Sequence, residues 1–297
     1  DGTGWIPVDF SSPTIKAPFS AIPIDPVNTA ATGSQYYFTY VTGGSWNLTA
    51  LFESSHEPII KQAINDGGAM PGVFELGTNT KLGPFTRDKG LVGFWRFEEG
   101  TGTSTADSSG NGNTGTLTNG PTWQTESSCK VGKCLSFDGV NDYVNNGNGS
   151  SLDIRNATIM AWLKLSSLNR NNSAILEKTQ IYRFGLDGST TTPQIWWSWQ
   201  NADSQWQGLE AGSIVASGTW HYLVGVYDGN TSKVYLDGFL DGSVVSGSSP
   251  IKSAPGTNVY IDYRDGWNTI TGLIDEVRIY NRALSADEIA AIYSATK

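Results

Sequence analysis

The sequence holds few residues with which to build a catalytic centre. Its two histidines are His56 and His221, and its two cysteines are Cys129 and Cys134. His221 follows Trp220 in a stretch that reads as a core strand, so a structural role is expected for it. His56 falls in a loop ahead of a short helical pattern, and no serine or cysteine has a His/Asp partnership visible in the order of residues. A retaining glycosidase needs two carboxylates about 5 Å apart. Asp275 and Glu276 are adjacent, and on a strand adjacent side chains point to opposite faces, so they do not make that pair. By the same alternation Asp275 shares a face with Val277 and Ile279, which predicts a buried carboxylate in need of a partner. Cys129 and Cys134 are spaced too widely for a CxxC redox motif, and nothing nearby completes a zinc site. With Val131-Gly132 able to turn between them, a local disulfide is the favoured reading and two free thiols the alternative. A disulfide would point to an oxidising compartment.

Binding chemistry is better represented, because the chain has 11 tryptophans. In Ile195-Trp196-Trp197-Ser198-Trp199, alternation puts Trp197 and Trp199 on one face and Trp196 on the other. Tyr182, Trp206, Tyr263 and Trp267 fall in neighbouring strands and loops, with Asn201, Asp203, Gln205 and Asp265 among them. Aromatic rings pack against the C–H faces of sugars while amides and carboxylates bind the hydroxyls. Trp197, Trp199, Trp206, Tyr182, Tyr263, Asp265 and Trp267 are therefore the expected glycan contacts. The competing reading is that these rings fill a core.

The elements that would position these residues are strands. Charged residues are only 16% of the 297, and the net charge is −9, which argues against a nucleic-acid partner. No stretch approaches the length of a membrane span. No signal-peptide pattern opens the chain, and Asp1 reads as a mature or trimmed start. Gly, Pro and charge at Lys81–Gly90 mark a linker, dividing the chain at 1–89 and 90–297. In the first part, Gly4–Phe10 reads as a strand, Tyr36–Val41 and Trp46–Glu53 as a hairpin, Pro58–Asn65 as a short helix and Val73–Leu76 as a last strand. Residues 91–280 read as about a dozen short strands separated by Gly, Asn, Asp and Ser turns, the pattern of an antiparallel β-sandwich. Ser285-Ala286-Asp287-Glu288 is a capping box opening a final helix.

Five motifs carry a resemblance in the second part. They are Trp95-Arg96-Phe97-Glu98-Glu99-Gly100 with Asp107–Gly115, Cys134–Val144, Trp220–Gly229, Val234–Gly238 and Gly272–Leu284. In that order they resemble a bacterial laminin-G-like, concanavalin-A-like jelly roll. Enzymes of laminarinase type share that sandwich and carry Glu-x-Asp-x-x-Glu on a strand, and this sequence has no such run. The resemblance therefore implies a non-catalytic, extracellular carbohydrate-binding or adhesive module with a glycan or glycoprotein as partner. It also implies a Ca²⁺ site between the first and last strands, its ligands carried over by position as Glu99, Asp107 and Asp275. Asp138, Asn141 and Asp142 form a second acidic loop that reads as a turn. Asp1–Phe10, Ile22–Asn28 and Tyr36–Phe52 resemble the globular segment of a type IV pilin-like or pseudopilin protein without its N-terminal helix. That implies a small α+β subdomain, other pilin subunits as partners and display on a surface filament. A structural filament subunit is the alternative reading, with a glycoside hydrolase behind it.

Overall fold

The computed structural model describes residues 38–42, 46–51, 73–77, 89–168, 173–187, 192–263 and 270–297. The chain divides into two compact units, Asp1–Gly83 and Pro84–Lys297. In the first, strands β1 (Phe38–Thr42), β2 (Trp46–Leu51) and β3 (Val73–Gly77) pair antiparallel in that order. The expected hairpin and third strand are thus present. The strand at Gly4–Phe10, the helix at Pro58–Asn65 and most of the pilin-like runs lie outside the described residues.

The second unit is the expected mainly-β sandwich. Its strands are β4 (Leu91–Trp95), β5 (Ser104–Thr105), β6 (Gly115–Thr118), β7 (Thr122–Gln124), β8 (Cys134–Asp138), β9 (Tyr143–Asn145), β10 (Ala157–Leu168), β11 (Ser173–Lys178) and β12 (Tyr182–Asp187). They continue as β13 (Gln194–Gln200), β14 (Trp206–Ile214), β15 (Trp220–Tyr227), β16 (Thr231–Leu236), β17 (Phe239–Val245), β18 (Val259–Ile261) and β19 (Ile270–Tyr280). One sheet runs β17-β16-β15-β10-β19-β8-β7, with β4 also on β19; the other runs β14-β13-β12-β11-β18-β9-β6-β5. Helix α1 (Ala286–Thr296) opens on the expected capping box. There Ser285 Oγ accepts from Glu288 N at 3.2 Å, and Ser285 N donates to the Glu288 carboxylate at 2.8 Å. Among the described residues no helix is long and apolar enough to cross a membrane.

Alternation decides the core. Residues 195, 197 and 199 of β13 are all apolar, and they face Tyr182, Phe184 and Leu186 of β12 and the inner residues of β10, β15 and β19. Each buried indole removes roughly 150–250 Å² from water, on the order of 4–6 kcal/mol of transfer free energy before entropy is charged against it. A second apolar layer covers the far side of the first sheet. Met160, Trp162, Tyr222, Val224 and Tyr280 pack beneath Leu284, Ile289 and Ile292 of the helical end.

Strand β19 departs from its expected pattern. Val277 and Ile279 face the inter-sheet core, as expected, but so does Ile274, three residues before Val277. Between them the register against β10 slips: Met160 faces Arg278 while Trp162 faces Asp275. Glu276 has φ 54°, and this bulge turns Asp275 away from Val277 and Ile279 to the Trp162 side. Asp275 is buried all the same. The loop between Cys129 and Cys134 closes over it, and one carboxylate oxygen accepts from Lys130 N at 3.2 Å and Val131 N at 2.9 Å. The two cysteines form the expected local disulfide, with Cα atoms 5.5 Å apart. Burial pushes the Asp275 carboxyl up to about 8, with the Val131 amide opposing and Glu276 adding to it.

Two outcomes are expected. Replacing both Cys129 and Cys134 with serine lowers unfolding free energy by about 2 kcal/mol on the chain-entropy model, measurable by denaturant titration. An unchanged midpoint means the loop holds Asp275 without its cross-link. The Asp275 value is raised on folding, so protonation favours the fold. Its stabilisation is complete below the unfolded value near 3.8 and is lost as pH rises through about 8. Asp275→Asn keeps an acceptor for the two amides and flattens that decline, which amounts to on the order of a few kcal/mol. Parallel melting-temperature profiles for the two proteins from pH 4 to 9 would refute this assignment.

Candidate functional site

A sandwich has two outer sheet faces. On the first sheet that face lies under α1 and its apolar layer. On the second sheet it carries a row of directly paired residues, one per strand: Gly208, Ser198, Arg183, Glu177, Tyr260, Asn145 and Thr116. All are polar, aromatic or glycine, and each is followed or preceded by a core residue, which fixes this row as the outward one. At the β12–β14 end the face sinks into an open groove of about 350 Å³ lined by Arg183, Trp196, Ser198, Trp206, Gly208 and Glu210.

The groove is braced from below. Glu177 is fully buried and accepts from Arg183 Nε at 3.2 Å and Gln180 N at 3.3 Å. The Arg183 guanidinium in turn lies 4.5 Å from the centre of the Trp206 ring. Trp206 is 38% exposed and Trp196 half-buried, so both present ring surface beside polar groups. Ser198 is 5% exposed, and among the described residues its hydroxyl has no hydrogen-bond partner. Gly208 lets β14 lie close against β13, since a Cβ there would come within 2.9 Å of Ser198 Cβ and 2.8 Å of the Trp197 carbonyl. Across Trp196 from Glu210 stands Gly185, where a side chain would meet the Ser173 carbonyl at 1.9 Å. Glu210 shares a hydrogen bond with Asp187, and this bond, then burial, then repulsion from Asp187, raises its carboxyl to about 7.

The expected glycan contacts divide sharply. Trp206 lies in the groove. Tyr182, Trp197 and Trp199 are sealed between the sheets, which corrects their assignment as ligand contacts. Trp199 packs 4.0 Å from the Tyr227 ring and donates to Ser232 Oγ at 3.2 Å, and the Tyr182 hydroxyl donates to the Leu152 carbonyl at 3.3 Å. Tyr263 packs against Tyr260 and Tyr143, on β18 and β9, away from Trp206 along the sheet. Asp265 and Trp267 lie outside the described residues. Trp196, Arg183, Ser198 and Glu210 were missed. The signal for Trp196 was its company, since Gln194, Ser198 and Gln200 share its face while Ile195 shares that of Trp197 and Trp199.

Glu99, Asp107 and Asp275 do not converge, and among the described residues no group of three His, Cys, Asp or Glu could hold a metal. Glu99 accepts from Ala106 N at 2.8 Å. Asp107 accepts from Phe94 N, Ser109 N and Asn113 N, each at 2.9 Å, using both oxygens. Asp275 is taken by the disulfide loop. Three separate sets of amides therefore fit these carboxylates better than one shared cation does. Asp138 and Asp142 close their own turn, through Val140 N and Asp138 N. His221 lies on the other sheet between Asp237, 2.8 Å from Nδ1, and Thr219, 2.9 Å from Nε2. The second Asp237 oxygen accepts from Tyr222 N at 2.8 Å, so the relay braces the Asp237-Gly238 turn.

No curated protein sequence matches the chain. Among solved structures, domain 4 of AbnA, a GH43 extracellular arabinanase from Geobacillus stearothermophilus in complex with arabinotriose, is similar at 20% identity. Its TM-score is 0.55, over 68% of this chain and 98% of that one. The binding domain of Paraclostridial Mosquitocidal Protein 1 is similar at 14% identity and TM-score 0.56, over 71% of this chain and 53% of that one. The receptor binding domain of botulinum neurotoxin mosaic serotype C/D is similar at 16% identity and TM-score 0.53, over 70% and 51%. This chain spans about half the length of the two toxin domains, and at these identities the likeness is one of fold. Residues 138–290, just over half of the sequence, match a family model, and by that match the chain belongs to the concanavalin A-like lectin/glucanases superfamily.

Proposed function

We propose that the chain is an extracellular, non-catalytic carbohydrate-binding or adhesive protein whose ligand lies in the groove between Trp196 and Trp206. One observation carries this reading. Two tryptophans present ring surface on an outer sheet face, beside a buried serine hydroxyl that has no hydrogen-bond partner among the described residues. Indole faces suit the C–H faces of sugar rings, and such a hydroxyl suits their O–H groups. The arabinanase domain of the same fold was captured with arabinotriose, and the toxin domains are binding domains, which agrees in kind. A binding role without catalysis is favoured because the sequence carries no Glu-x-Asp-x-x-Glu run to place a pair of catalytic carboxylates on one strand. The disulfide supports an oxidising, extracellular setting. The pilin-like resemblance of the first unit adds display on a surface filament.

A second reading is a protein contact module. Edge strand β17 exposes Phe239, Leu240, Val244 and Val245, an apolar stretch of the kind partners cover.

A glycan array probed with and without Ca²⁺ tests the first reading. Trp206→Ala is expected to weaken the best ligand by roughly tenfold or more, with little change in unfolding midpoint. Trp197→Ala, by contrast, costs on the order of 3–5 kcal/mol of stability. An array blank in both conditions, or a Trp206→Ala protein that binds like the parent, removes the groove from consideration.

A further inference from the structure

We infer that the sandwich has a second sugar site, for a neutral glycan, in a recess between β7 and the disulfide loop at the edge opposite the Trp206 groove. The site stands on its own residues. That one chain then holds two glycans rests on the Trp206 reading as well.

Gly100, Trp123, Gln124, Glu126 and Lys133 line the recess, which holds about 350 Å³. Trp123 pairs directly with Leu135, a core residue, so its indole rests against the core at the end of the sheet and stays half-buried. Trp123 Nε1 donates to the Gly102 carbonyl at 2.9 Å, which pins the ring. A ring already held in place loses little entropy when a ligand stacks on it. Lys133 is fixed from three sides. It precedes the disulfide-bonded Cys134, and its amide donates to the Glu98 carboxylate at 3.1 Å. Its stem crosses Gly100, which has φ 70° and where a Cβ would lie 2.8 Å from Lys133 Cδ. Its ammonium donates to the Glu98 carbonyl at 3.3 Å, which uses one of its three protons.

The lining decides the ligand class. One ammonium and one carboxylate face the recess, so an ion of either sign is attracted by one and repelled by the other. A neutral sugar uses both. Lys133 donates to its hydroxyls, Glu126 accepts from them, and the indole takes the C–H face of the ring. Gln124 Nε2 is bound to Thr122 Oγ1 at 3.0 Å, and its amide oxygen adds an acceptor. The two recesses are too far apart for one short oligosaccharide. Ser213 of β14 donates to Asp241 of β17 at 3.3 Å, so the Trp206 groove lies at the β17 end of the sandwich. Strand β7 ends the β17 sheet six strands on, roughly 30 Å away at about 4.8 Å a strand. Sites at opposite ends let a single chain bridge two glycans.

The test is calorimetric titration of the whole chain with four neutral tetrasaccharides, built of arabinose, xylose, glucose and mannose. The Trp206→Ala protein is expected to keep one equivalent of at least one of them. Adding Lys133→Met to it keeps the stem over Gly100 and removes the ammonium. That should weaken the remaining equivalent by roughly tenfold at an unchanged unfolding midpoint. In NMR spectra the Trp123 indole N–H, identified by its loss in Trp123→Phe, should shift as this equivalent fills. Binding that Trp206→Ala abolishes overturns the second site and leaves the Trp206 groove standing. An equivalent that survives Trp206→Ala but ignores Lys133→Met also overturns it, because that ligand then lies elsewhere. Binding by the parent that is indifferent to Trp206→Ala and weakened by Lys133→Met supports the second site and removes the first. No binding of any of the four overturns both.

Discussion

Strand β19 is buried on both faces, and the rest of the molecule is arranged around that fact. Ile274, Val277 and Ile279 face the inter-sheet core, while Tyr280 joins Trp162 and Tyr222 beneath α1. Where the apolar layer beneath α1 covers it, that sheet has no outer face to offer a ligand. The second sheet has only the core beneath it, so its far side is where polar and aromatic residues gather. Sealing one sheet with a capped C-terminal helix thus does more than add apolar burial. It determines which face of the sandwich is available for recognition.

Much of this layering was legible in the residue order. Short runs with period two, punctuated by Gly, Asn and Asp, were enough for the sandwich, and the Ser285–Glu288 capping box was enough for the helix. Other parts were not legible for definite reasons. Strand β14, Trp-Gln-Gly-Leu-Glu-Ala-Gly-Ser-Ile, holds two glycines and little β-branching, so its pairing with β13 rather than local propensity makes it a strand. The bulge in β19 is invisible because its left-handed residue is Glu276, where a glycine would have announced it. Half of the candidate site was legible in principle. In β13 the face with two tryptophans looked the better ligand platform, yet that face also carries Ile195. The single Trp196 among Gln and Ser residues marked the outward side.

The carboxylates expected to hold calcium teach a related lesson. Asp107 sits in a loop rich in Gly, Ser and Asn, where backbone amides are left over from the strands and need acceptors. A short acidic side chain in such a loop is the nearest acceptor. The spacing that suggests a cation site is also the spacing of a closed turn. Asp275 differs in its cover: a disulfide loop delivers two amides to it across more than a hundred residues of sequence, a pairing that no local pattern announces.

A buried ion pair on a sheet surface is a poor source of stability, because desolvation of Glu177 and Arg183 offsets most of their attraction. Its effect on geometry is larger. With Glu177 fixed in the sheet, the Arg183 guanidinium is fixed over Trp206, and an edge-strand indole that would otherwise sample several rotamers is held open to solvent on one side. A ring ordered before the ligand arrives loses less entropy on binding than a free one. The cross-strand row Glu177, Arg183, Ser198 and Gly208 is therefore better understood as a support than as a contact list. Its first member anchors, its second aims the ring, its third offers a hydroxyl and its fourth, by having no side chain, lets the edge strand close up against Ser198 and the Trp197 carbonyl.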